Sequence, residues 1–411
     1  MMSLPDDLLL RIFHLLNACD LVLVSRCCRS FKRIAQSLIY SVSYKFSGIS
    51  VTGDVPNTNI TEIPGTRSYL IPDNVVHTFT LVKNVVWALV PKNWLNPYCL
   101  NMETHVWRRQ ILTGDPPKQP RHNYSCISIQ EKLWLFGGLL EGASVSEENS
   151  RCNDVHVLDI ETGSWSHVEC MNPPPPVCLH SAVFKDTKMF IFGGMGSDGK
   201  LYALDIESHN WTAIETTESS PSPRIGNTFN LVGDKIWMFG GSSHSGVAPG
   251  QTFNDMHVFD ISSSLWSKVD VRCLSSKFPV PSIFTGLQAS VPDDGSSSEE
   301  IFFFGRSSFS AIAFDAKRDD IWVLYTRHRC WRQIHFKGNA PPRQDYHTVL
   351  PYKGDLYAFA GSDVGLGGGF RGEIYVLKKV AVEICNSEAV SYVPWQPRVN
   401  FVDAFRKFDW D

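Results

Sequence analysis

The stretch KLWLFGG, residues 132–138, decides the fold because it recurs. It returns as KMFIFGG, ending in Gly193-Gly194, and as KIWMFGG, ending in Gly240-Gly241. Weaker relatives are EIFFFGR (Gly305), DLYAFAG (Gly361) and NVVWALVP, where Val90-Pro91 stand in the glycine slots. Each run carries an aromatic residue three positions before the first glycine slot: Trp87, Trp134, Phe190, Trp237, Phe302 and Tyr357. The runs alternate with period two, as strands do, and self-similarity at a regular spacing is the mark of a repeat architecture.

A second signal follows each run without gaps. Tyr98, His156, Tyr202, His257 and Trp322 precede Trp107, Trp165, Trp211, Trp266 and Trp331 by nine residues, and Asp159, Asp205 and Asp260 stand three after the first member. In the sixth unit Tyr375 takes the first slot, but Ile384 replaces Trp. Short polar turns such as Glu161-Thr162-Gly163-Ser164 separate the strands. Glycine pairs admit a close neighbouring backbone or ring, and the spaced Trp is placed to cover that gap. One four-stranded sheet cannot bury both its faces, so the units must stack radially. The diglycine and the spaced aromatic pair resemble the kelch repeat. The resemblance implies an all-β kelch-type propeller of about six four-stranded blades over residues 75–384.

The opening, SLPDDLLLRIFHLLNACDLVLVSRCCRSFKRIAQSLIY, has another character. Pro5 suits the first turn of a helix, and Asp6 and Asp7 face the positive end of its dipole. Leu8, Ile12 and Leu16 form a stripe widened by Leu9 and Phe13. Asp20 can cap a second helix carrying Leu21, Val24 and Cys28, with Phe31 and Ile34 beyond. So short a segment cannot bury this much apolar surface alone and needs a partner. Leu4, Pro5, Asp6, Leu8, Ile12, Phe13, Asp20, Leu21, Cys28, Arg29 and Phe31 resemble the F-box, although that family usually has Trp at the Phe31 position. The resemblance implies a small α-helical domain at 3–42 that contacts a Skp-family adaptor, and through it cullin and RING subunits, with Leu4, Pro5, Leu8, Ile12, Phe13, Leu16, Leu21, Val24, Cys28 and Phe31 as contacts. The other reading is a helical cap packed on the rest of the chain.

Composition narrows the classes. The chain has 411 residues, room for two or three domains. A net charge of −4 offers no basic field for nucleic acid or an anionic membrane. No apolar run is long enough to span a bilayer, and the first residues lack a signal peptide's basic region and cleavage site. The 11 cysteines are odd in number and scattered, the usage of a reducing compartment, so a cytoplasmic or nuclear protein is expected. The sequons at Asn59, Asn123 and Asn210 are then chance matches. Residues 43–74 look like a linker that can supply an extra strand, and the aromatic tail 385–411 is expected to pack back on the body.

Blade topology sorts the loops. The turns joining strands one to two and three to four are short, apart from Val291–Glu300, whereas Leu139–Cys152, Ser242–Phe253, Arg306–Asp319, Ser362–Arg371 and the Pro-rich connections near 171–178, 217–224, 272–282 and 338–343 gather at the other end. Long loops on a rigid scaffold are the usual home of binding. That end collects Arg121, His122, Arg151, His180, Arg224, Arg306, Arg343, Tyr346, His347 and Arg371. Arginine forks suit carboxylates and phosphates, which points to an acidic or phosphorylated protein substrate. The alternative is that each Arg caps a strand start or pairs with a local Asp.

No catalytic apparatus, cofactor or metal is expected. The Gly-rich run Gly367 to Gly372 fits G-x-G-x-x-G but lies between two strands. Asp205/His209 and Asp73/His77 have half the spacing of an iron motif, with Leu201 and Tyr69 where its Glu would stand. The expected protein is a substrate receptor of a ubiquitin ligase. The runner-up is a kelch scaffold with no ubiquitin role.

Overall fold

The computed structural model describes residues 42–49, 52–53, 78–143, 148–215, 219–243, 251–273, 286–289, 300–304, 321–334, 336–337, 348–359 and 374–381. They form a six-bladed propeller whose blades are built on four antiparallel strands. Blade one is Phe79–Val82, Val85–Ala88, Tyr98–Asn101 and Val106–Arg109. Blade two is Ser125–Ile129, Lys132–Leu140, Arg151–Asp159 and Ser164–Val168. Blade three is Ser181–Lys185, Lys188–Phe192, Leu201–Asp205 and Asn210–Ile214, and blade four is Thr228–Val232, Lys235–Phe239, Met256–Asp260 and Leu265–Val269. Blade five is Gly286–Ala289, Glu300–Phe304, Ile321–Tyr325 and Cys330–Ile334. The first strands stand side by side in a ring, that of blade six, Thr348–Tyr352, returning against Phe79–Val82.

Blade six is completed from elsewhere. Its second and third strands are Asp355–Phe359 and Ile374–Ala381, and its outer strand is Val42–Ile49, paired antiparallel from Val42↔Ala381 to Ile49↔Ile374. In the other blades the spaced Trp lies opposite the residue two after the first slot, as in Trp165↔Leu158 and Trp211↔Leu204. In blade six that partner is Leu377, and opposite it stands Phe46. Phe46 therefore holds the register position of the missing Trp, Ile384 lies outside the described residues, and the propeller takes in residues ahead of position 75.

The linker entering a blade also runs briefly parallel to that blade's outer strand. Thr52–Gly53 do so on Val106-Trp107, Thr113–Gly114 on Ser164-Trp165, Met171 on Asn210, Arg272–Cys273 on Cys330-Trp331 and Phe336–Lys337 on Tyr44-Lys45.

Packing explains the repeat. Each apolar cluster lies between neighbouring blades, so no blade is stable alone. Trp211 of blade three packs at 4.9 Å on Phe136 of blade two, Trp266 at 5.5 Å on Phe192, and Trp331 at 5.2 Å on Phe239. The spaced Trp thus covers the aromatic just before the previous blade's glycines, rather than the glycine gap itself. Incoming linkers fill that gap. A Cβ on Gly137 would stand 2.7 Å from the Val177 carbonyl oxygen, and one on Gly193 would stand 2.5 Å from that of Arg224. Asp159, Asp205 and Asp260 each accept N–H bonds from the turn after the third strand, as from Thr162, Ser208 and Ser263, and Asn101 does the same in blade one.

No helix among the described residues is long and apolar enough to cross a membrane.

Candidate functional site

The described ends of the incoming linkers, at Arg121–His122, Val177–Cys178 and Arg224–Ile225, lie against the glycine pairs. In blade two the second strand continues past the glycines to Leu140, with a bulge between Phe136 and Gly138. Leu139 then pairs with Arg151 on one side and His122 on the other, so these two predicted residues flank one strand position. Both are half-buried. Burial lowers the His122 imidazole, with Glu141 acting in the opposite sense.

Among the described residues, two blades carry the same buried polar cluster beneath this end. In blade two the Arg121 guanidinium forks onto the Asp154 carboxylate, with Nη2 at 3.0 Å, while Nη1 also donates to the Gly137 carbonyl oxygen at 3.3 Å. His156 Nε2 lies 3.1 Å from the same carboxylate and its Nδ1 lies 3.3 Å from the Asp115 carbonyl oxygen. In blade four Arg224 forks onto Asp255 at 2.6 and 3.2 Å and donates to the Gly240 carbonyl oxygen at 3.1 Å. His257 bridges Asp255 and the Ser219 carbonyl oxygen at 3.0 and 3.2 Å. The Arg224 guanidinium also lies 4.0 Å from the centre of the Phe253 ring. Burial raises the Asp154 and Asp255 carboxyls, but bonds from the paired His and Arg outweigh it and hold both well below the usual carboxylate range. Each cluster ties three strangers in sequence: the start of a linker, its end, and the third strand.

This placement corrects the sequence reading of Arg121 and Arg224. They are 4% and 2% exposed, and their forks are filled by Asp154 and Asp255, so they hold linkers in place and do not face a ligand. The competing expectation, a local Asp partner, is what the geometry contains. His180 is half-buried and already engaged: its Nε2 lies 2.9 Å from Ser125 Oγ, its ring is edge-on to Phe136 at 5.3 Å, and burial of the ring pushes its pKa down to about 3. It is a neutral joint between blades two and three. Arg306, Arg343, Tyr346, His347 and Arg371 lie outside the described residues, as do the adaptor contacts Leu4, Pro5, Leu8, Ile12, Phe13, Leu16, Leu21, Val24, Cys28 and Phe31, the run Gly367 to Gly372, and the tail from 385.

The sequence did contain a signal for the buried clusters. Asp154-Val155-His156 and Asp255-Met256-His257 occupy the same repeat slots, each in a blade whose first strand is preceded by Pro-Arg. Blade three has Val177, Lys200 and Tyr202 in those slots, so all three members are absent together. Only a comparison across blades reveals this, because Arg and Asp are more than thirty residues apart.

Asp154, His156 and His167 are the one group among the described residues with potential metal-ligand atoms close together. A cation there would meet the Arg121 guanidinium, which already holds the Asp154 carboxylate. Asp205 is occupied by the Ser208 N–H, and His209 lies in the turn that follows with φ 55°. Asp73 and His77 are outside the described residues.

Comparison with known proteins agrees with this architecture. Residues 139–361 match the KLHDC2/KLHL20/DRC7 Kelch-repeats domain, and residues 1–43 match the F-box-like domain. Host cell factor of Drosophila melanogaster is 26% identical over 277 residues, 64% of this chain and 17% of that protein. Host cell factor 2 of Homo sapiens is 26% identical over 273 residues, 62% of this chain and 32% of its own. Acyl-CoA-binding domain-containing protein 5 of Arabidopsis thaliana is 25% identical over 272 residues, 62% of this chain and 38% of its own. The chain thus spans less than two fifths of the length of each of these relatives. With more than half of its length matched by the kelch domain and an F-box-like segment preceding it, this chain belongs to the F-box/kelch family.

Proposed function

We propose that the protein is the substrate-recognition subunit of an SCF-type ubiquitin ligase. The observation that carries this reading is the union, in one chain, of an F-box-like segment at 1–43 and a kelch propeller whose closing strand starts at Val42. F-box domains generally bind Skp-type adaptors and kelch propellers bind proteins. The segment around Leu8 and Ile12 takes the adaptor, which brings cullin and RING subunits. The propeller holds a protein substrate at its loop-bearing end.

His122 and Arg151, together with the loops that contain Arg306, Arg343, Tyr346 and Arg371, form the substrate side in this reading. Their charge suits an acidic or phosphorylated segment. The chain does no chemistry itself. Its contribution is proximity, raising the effective concentration of substrate lysines beside the charged ubiquitin carrier. Such a complex works in the cytoplasm or nucleus, with neither nucleic acid nor membrane as partner.

The test is co-purification with a Skp-family adaptor, wild type beside Leu8→Asp/Ile12→Asp. A complex that forms with the wild type and is lost in the double variant supports the reading. A wild-type chain that fails to bind the adaptor would leave a kelch scaffold without a ubiquitin role.

A further inference from the structure

The linker between blades two and three contains Met171-Asn172-Pro173-Pro174-Pro175-Pro176-Val177. Each proline ring fixes its own φ, and each of the first three also precedes a proline, which drives ψ to the extended value. The run is therefore committed to polyproline II, with three residues per turn. Burial follows that period. Pro174 and Val177 are buried, Pro173 and Pro176 are exposed, and Pro175 is intermediate.

Both ends and one side of this strap are pinned. Met171 N–H donates to the His209 carbonyl oxygen at 2.9 Å, and Asn172 Nδ2 donates to Asn210 Oδ1 at 2.9 Å. Asn153 Nδ2 donates to the Pro174 carbonyl oxygen at 2.9 Å, and Val177 N–H donates to the Cys152 carbonyl oxygen at 3.0 Å. The Pro176 carbonyl oxygen lies against Gly196, where a Cβ would come within 2.3 Å of it. Blade three, which lacks the Arg–Asp–His cluster, thus has a stiff strap where blades two and four have a buried ion pair.

Stiffness alone does not require two rings in solvent on one edge. We propose that the Pro173/Pro176 ridge is a docking surface for a protein module with an aromatic-lined, proline-recognising groove. Such grooves grip one side of a polyproline II helix through successive pockets, and a ligand already held in that shape loses little entropy on binding. The two rings lie about 9 Å apart along the helix, one turn of pocket spacing. Met171, 58% exposed, extends the apolar edge. Glu169, with a side chain 93% exposed, is the only Asp, Glu, Lys or Arg between Thr162 and Phe184. Arg151, half-buried, flanks the Pro176 end beside Gly196, whereas the exposed Glu169 at the Met171 end would be repelled by the acidic rim of an SH3 domain, which favours WW- or EVH1-type modules.

The experiment titrates the full-length protein into purified WW, EVH1 and SH3 domains, following the fluorescence of groove tryptophans. Saturable binding by a WW or EVH1 domain is expected, weakened about tenfold or more by Pro173→Ala/Pro176→Ala. Pro176→Glu, which leaves the buried Pro174 untouched, should abolish it at an unchanged melting temperature. Binding by none of the domains at millimolar concentration, or binding indifferent to both variants, would overturn the proposal.

Discussion

Arg224→Ala leaves Asp255 ionised, three-quarters covered and short of its two fork donors. Removing one partner of a buried pair costs about 3–5 kcal/mol, and Arg224→Ala should lower the urea midpoint accordingly. Arg224→Ala/Asp255→Ala should lose less than the two single variants summed, because the second change removes the stranded charge. An Arg224→Ala protein as stable as wild type would return that side chain to the list of ligand contacts. His180 makes a different prediction. In the folded protein its imidazole stays neutral down to about pH 3, while in the unfolded chain it takes up a proton near pH 6.5. Below that value the unfolded state binds more protons, so the stabilising effect of a neutral His180 is complete above pH 6.5 and is lost as pH falls towards 3. The slope is at most about 1.4 kcal/mol per pH unit. His180→Asn, which copies Asn227 of blade four in the same slot, should flatten the melting temperature between pH 7 and 5.

At the scale of strands and turns, the close approach of linkers separates two kinds of glycine. Gly193 has φ +74°, and a Cβ there would meet Arg224 O at 2.5 Å and Asn227 Oδ1 at 2.8 Å; Gly233 has φ +60° with open space around it. Gly233→Ala should cost only the backbone strain, about 1–2 kcal/mol. Gly193→Ala must also displace the linker into blade four and should cost clearly more in denaturant unfolding. The strands, the turn aspartates and the glycine pairs were legible because their causes are local: alternation, N–H capping and a missing side chain. The partner of the spaced Trp was not, since Trp211 packs across a blade boundary on Phe136, about 75 residues earlier in the chain. Nor was the burial of Arg121 and Arg224. Pro-Arg in a long loop reads as an exposed cation until Asp154 and Asp255 are seen opposite.

For the whole molecule, the decisive pairing is Val42–Ile49 with Ile374–Ala381. Nothing local in VSYKFSGI names its partner, although Tyr44 and Phe46 already alternate with polar residues, and the sixth unit visibly lacked an outer Trp. A chain begun at residue 54 should leave the edge of Ile374–Ala381 open, with a lower melting temperature and self-association in size-exclusion chromatography. One begun at residue 41 should remain closed. Equal stability of the two would mean that another segment can take the outer position.

That pairing also sets a timetable. Val42–Ile49 leaves the ribosome ahead of every other strand of the propeller, yet its partner lies about 325 residues further on. At roughly 5–20 residues per second, the ring stays unclosed for tens of seconds after its clasp has been made. Throughout that interval a β-prone segment waits with its hydrogen-bonding edges unmet, directly behind the F-box-like segment. An adaptor that engaged the F-box-like segment early in synthesis would therefore meet a nascent chain whose propeller was still unfinished.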